Sequence, residues 1–67
     1  MMNILLNGEN HAIDDGATVA ALIEQLGLTG QRLAVEVNGE IVPRGEHVAH
    51  ILNVEDKVEV VRAIGGG

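Results

Sequence analysis

The sequence predicts an α+β domain in which one mixed sheet of about five strands is covered on one face by a single main helix. Three observations carry this. Apolar residues alternate in short runs on either side of two Asn-Gly pairs, one stretch repeats at helical spacing, and the elements follow the order strand, strand, helix, strand, strand, strand. With 67 residues the chain has room for one domain and one core. It has no cysteine, so neither disulfides nor a thiolate metal site supplement that core, and with no Phe, Tyr or Trp the packing is aliphatic.

The first element is a β-hairpin. "NILLNGENHAI" places two apolar runs around Asn7-Gly8, and Asn-Gly suits a type I′ turn because both central residues need positive φ. Asp14, Asp15 and Gly16 then break the pattern and lead into a helix. In "TVAALIEQLGL", Val19, Leu22, Ile23 and Leu26 fall on one helical face, with Thr18 as N-cap and Gly27 as the stop. At under three turns this helix is too short to persist alone and must pack on the sheet.

A second hairpin follows. Leu33, Val35 and Val37 alternate with Ala34, Glu36 and Asn38, and a turn at Asn38-Gly39 leads into Glu40, Ile41 and Val42 before Pro43 ends the strand. "EHVAHILNVEDK" has a short helical pattern with Val48 and Ile51 on one side, and its "NVED" supplies a turn before the last strand, "KVEVVRAI". In the first and last strands Leu5 lies between Ile4 and Leu6, and Val61 is out of phase with Val58 and Val60. Both are expected on the uncovered face, either as incidental exposed aliphatics or as a docking patch for a partner.

Composition removes several classes of function. A net charge of −6, a pI near 4.7 and the lack of aromatic stacking platforms argue against nucleic acid as a partner. No apolar stretch approaches the roughly 20 residues that span a bilayer, and "MMNILLNGEN" lacks a basic leader, so no membrane association is expected and the cytoplasm is the default location. An acidic carrier would find a complementary basic surface on a partner by electrostatic steering.

Catalytic constellations are also missing. With neither Cys nor Ser there is no thiol or serine nucleophile, and Thr18 and Thr29 sit where caps and turns are expected. His47 and His50 would share a face with Glu46 if that stretch were helical, but no third ligand stands at zinc spacing, so these residues and His11 are read as ordinary surface or turn histidines and no metal site is expected. The ten carboxylates are scattered over turns and polar faces. "GGG" precedes no helix, which removes a phosphate-cradling loop. What remains is the ending "AIGGG": a carboxylate on Gly66-Gly67 has no side chain to hinder its passage through a narrow channel, while a frayed end is the plain alternative.

The whole chain resembles the sulfur carrier proteins of thiamine biosynthesis, ubiquitin-like β-grasp proteins. The resemblance rests on "MNILLNGE", "TVAALIEQLGL", "AVEVNGEIVPR", "VEDKVEVV" and the terminal "AIGGG". It implies a β-grasp domain over residues 1–64 and a flexible glycine tail over 65–67, in which Gly65 lengthens the arm beyond the usual Gly66-Gly67 pair. It further implies that an ATP-dependent adenylating enzyme activates the carboxylate of Gly67, that sulfur from a cysteine desulfurase or another donor replaces AMP to give a thiocarboxylate, and that thiazole synthase receives the sulfur. The chain would then be a protein co-substrate and not an enzyme, with no cofactor of its own and ATP consumed by the partner. Leu5, Val61 and Ile64, near the tail or on the uncovered face, are the expected docking residues. Two other uses of the same terminus stay open: a carrier of the kind that serves as molybdopterin synthase small subunit, although such chains are typically longer and carry aromatics, and a ubiquitin-like modifier joined to lysines. A non-covalent interaction domain would not need Gly66 and Gly67 at all.

Overall fold

The computed structural model describes residues 1–62. Five strands, β1 (Met2–Leu6), β2 (Glu9–Ile13), β3 (Leu33–Val37), β4 (Glu40–Ile41) and β5 (Lys57–Arg62), form one sheet in the order β2-β1-β5-β3-β4. β1 and β5 are parallel and the other pairs antiparallel, so the sheet is mixed and the last strand lies at its centre.

Both Asn-Gly turns form as expected. Asn7 and Asn38 have φ near 50° and 53°, the left-handed conformation that Asn tolerates and that a type I′ turn demands at its first position. The helix α1 (Val19–Gln25) starts at Thr18, whose Oγ1 accepts a hydrogen bond from the Ala21 amide at 3.1 Å. It ends in a Schellman motif: Gly27, at φ +74°, donates to the Glu24 carbonyl and Leu28 to that of Ile23, both at 3.0 Å.

Period-two alternation sets the core. Ile4, Ile13, Val35 and Val58 point to the helix side and are buried, where they meet Val19, Leu22 and Ile23 of α1. No charged or polar residue is buried with them among the described residues.

The stretch after β4 differs from the helical expectation. It holds a 3-10 turn at Arg44–Glu46 and one further turn, after which Ile51 bridges to Thr18. The carbonyls of His47 and His50 accept from the Ala20 and Val19 amides, both at 2.9 Å. Those carbonyls satisfy the orphan donors of α1 instead of continuing a local helix. Consequently Val48 and Ile51, the expected apolar side, are exposed, and Leu52 fills the core.

Candidate functional site

The site is organised around β5, the strand that leads to residues 63–67. The strand is held on two flanks by the Asn side chains of the two hairpin turns. On the β3 side, Asn38 Oδ1 accepts from the Lys57 amide at 3.0 Å and Asn38 Nδ2 donates to Asp56 Oδ1 at 3.0 Å. On the β1 side, the backbone pairing stops at Leu6 and Val58, and the Asn7 side chain extends it: its Oδ1 accepts from the Val60 amide at 2.9 Å and its Nδ2 donates to the Val60 carbonyl at 3.4 Å. A side-chain amide thus replaces a strand residue, and β5 is held in register to within two residues of Arg62.

Beyond Asn7, β5 runs beside β3 alone, where Val61 pairs with Ala34 and Arg62 with Leu33. Val61 is 60% exposed and, with Ala34, lines a shallow depression on the uncovered face that Arg32 and Arg44 border. Arg44 is placed by its Nη2, which donates to the Gln31 carbonyl at 3.2 Å.

Of the expected docking residues, Leu5 and Val61 do share the uncovered face. They do not form one patch. Leu5 is only partly exposed and stands opposite Lys57, four residues before Val61 along β5, a rise of about 13 Å. Between them lies Glu59, directly opposite Glu36. Ile64, Gly65, Gly66 and Gly67 lie outside the described residues.

Two of the three histidines, His11 and His47, have side-chain hydrogen-bond partners. His47 Nε2 lies 3.0 Å from the Val42 carbonyl, and His11 Nε2 meets Gln25 Oε1, which ties α1 to β2. Among the described residues no three His, Cys, Asp or Glu side chains come together as a cation site. No helix there is long and apolar enough to cross a membrane.

The two Asn clamps are the feature that sequence reasoning missed. Each Asn was already explained by its turn, and nothing in local spacing shows that Asn7 reaches a residue 53 positions away.

A mixed sheet in this order, with one helix across it and its central last strand leading into a glycine-rich end, defines a ubiquitin-like β-grasp protein. The ThiS family pattern matches residues 4–67, and the chain belongs to that family. It is 35% identical to the sulfur carrier protein ThiS of Escherichia coli, over 98% of this chain and 100% of that one. The crystal structure of the thiamine biosynthesis protein ThiS from Geobacter metallireducens superposes with a TM-score of 0.83 at 30% identity, covering 98% of this chain and all of that one. A segment of the thiazole synthase of Magnetococcus marinus is 44% identical over 66 residues, 98% of this chain. The chain spans only 20% of the length of that protein, and the same share of the thiazole synthase of Paramagnetospirillum magneticum.

Proposed function

We propose that this protein is a sulfur carrier of thiamine biosynthesis whose working group is the carboxylate of Gly67. An adenylating enzyme activates it: a carboxylate oxygen attacks the α-phosphorus of ATP, and pyrophosphate leaves. A sulfide nucleophile then attacks the acyl carbon, and AMP departs with its electron pair. With sulfide as the donor the product is a thiocarboxylate, and no oxidant or reductant is consumed. Activation is required because a carboxylate is a poor electrophile whose oxygen leaves only as part of a stabilised phosphate.

The observation that carries this reading is family membership joined to the placement of β5. The central strand, held by Asn7 and Asn38, is the one that continues into "AIGGG". A rigid body would then aim a side-chain-free segment at a partner's channel, and the partners would supply the catalysis and the ATP. Thiazole synthase is the proposed acceptor, supported by the segments like this chain inside proteins of that name. A cysteine desulfurase is the proposed source of sulfur; its persulfide attacks the acyl adenylate, AMP leaves, and a thiol reductant then cleaves the acyl disulfide to the thiocarboxylate and is itself oxidised to a disulfide. Leu5, Val61 and Ile64 are proposed docking residues, with Val61 at the end of β5 that the tail follows.

Intact mass spectrometry of the protein after incubation with cell extract, ATP and a sulfide source tests the reading. The expected result is a mass gain equal to exchanging one oxygen for sulfur, dependent on ATP. No such gain, with conjugates on other proteins instead, would assign the chain as a modifier.

A further inference from the structure

The chain carries ten carboxylates and only four Lys and Arg residues, yet three of those four stand at one end. Arg62 ends β5 and pairs with Leu33, Arg32 precedes that residue, and Arg44 borders the same depression as Arg32 and Val61. Arg62 falls on the helix side of the sheet by its phase with Val58 and Val60, and Arg32 falls on the uncovered side with Ala34. The three therefore surround the end of β5 from which residues 63–67 continue. None of them forms an ion pair among the described residues, where the one salt bridge joins the Met1 amino group to Asp15. Clustering like charges gains nothing for the fold, since their mutual interaction is weakly repulsive.

We infer that this arginine collar docks against an acidic rim around the mouth of the adenylating enzyme's tail channel, an inference that rests on the carrier reading above. Two arguments select a protein rim over the nucleotide. Gly67 lies five positions beyond Arg62, up to about 17 Å of extended chain, so with the tail extended in a channel the arginines stand well outside the site of acyl transfer. Their height along the tail is that of the surface through which it passes. The sign of the charge then orients the carrier. A net charge of −6 leads one to expect a basic partner, but the placement of charge reverses that locally. An acidic rim repels every carboxylate-bearing face and attracts this end alone, within a Debye length of about 8 Å at physiological salt. The tail is thereby presented first.

The test is ATP–pyrophosphate exchange with the adenylating enzyme of the same organism, with this carrier varied in concentration at low and high salt. The Arg32→Gln/Arg62→Gln variant should raise KM for the carrier about tenfold at low ionic strength, with kcat unchanged and the difference shrinking as salt is added. Arg62→Lys should keep the wild-type KM. Lys57→Gln, which changes net charge as Arg62→Gln does but at the opposite end of β5, should also leave it unchanged. All three residues are exposed, and thermal melts would verify that each variant is folded. A wild-type KM in the double variant, or an equal rise in Lys57→Gln, would overturn the collar while the wild-type exchange still upheld the carrier reading. Absence of exchange with the wild-type protein would remove both.

Discussion

The two ends of β5 are built on opposite principles. At its start nearly every polar group is engaged: the Lys57 amide by Asn38, the Lys57 carbonyl by the Asn38 amide at 2.7 Å, and the Val58 carbonyl by the Asn7 amide at 2.8 Å, with Val58 fully buried. At its end the strand has one backbone neighbour, an exposed Val61 and arginines without ion-pair partners among the described residues. The difference teaches where fold and function divide. The first half of the strand is fixed by interactions internal to the domain, and the second half leaves exposed the apolar and charged groups that are proposed to meet a partner.

Deleting Gly67 should break that comparison most sharply. It removes the carboxylate proposed to react from its expected position and no atom of the core, which runs from Ile4 to Val58 in sequence. Sulfur loading and thiazole formation in a reconstituted system should be abolished, with the melting temperature unchanged. Thiazole formation at the wild-type rate by the truncated protein would end the carrier reading.

Two valines three residues apart should separate stability from activity. Val58→Ala opens a cavity in the core that Val58 shares with Ile4 and Leu22 and should cost about 2–3 kcal/mol, lowering Tm by roughly 10 °C or more in a domain of this size. Val61→Asp changes an exposed side chain and should cost less than about 1 kcal/mol. Only the second should slow adenylation at temperatures where both variants are folded. Val61→Asp at the wild-type rate would remove Val61 from the docking surface.

Much of this division was legible in the sequence, and the parts that were not share a cause. The Asn-Gly turns, Thr18 and Gly27 are local signals, complete within four or five residues, and each formed as read. The phase of Leu5 and Val61 put both on the uncovered face for the same reason. Their separation along β5 was not legible, because it depends on the register of β1 with a strand 50 residues later. The stretch from Glu46 failed likewise: its helical periodicity was real, but the amides of α1 claimed the carbonyls of His47 and His50, and Leu52 took the core position while Val48 and Ile51, the expected apolar side, stayed exposed. The end proposed to be functional was legible only as composition, "AIGGG", together with resemblance.

The Asn clamps offer a finer comparison between the flanks. Asn7→Gly and Asn38→Gly keep a residue that tolerates the turn's positive φ, so each isolates the loss of the side-chain hydrogen bonds, about 1–2 kcal/mol apiece. Hydrogen exchange should tell them apart. The Val60 amide should lose protection in Asn7→Gly and the Lys57 amide in Asn38→Gly. Because Val60 is the nearer of the two to the tail, Asn7→Gly should also lower adenylation more than Asn38→Gly. Equal protection at both amides in both variants would mean that the backbone pairing holds β5 without the clamps.

The smallest effect tests the ground between the two ends. Glu36 and Glu59 face each other directly across β3 and β5 on the uncovered side, a like-charge pair that costs a few tenths of a kcal/mol in a sheet. Glu36→Gln should therefore raise stability by about 0.2–0.5 kcal/mol at low salt, and the gain should fade near 1 M, where the Debye length falls to about 3 Å. Adenylation should not change, because the pair lies between the clamped start and the tail-bearing end and is assigned to neither. A fall in adenylation with Glu36→Gln would extend the docking surface along β5 towards Leu5, joining the two apolar positions that the register of β1 and β5 sets about 13 Å apart.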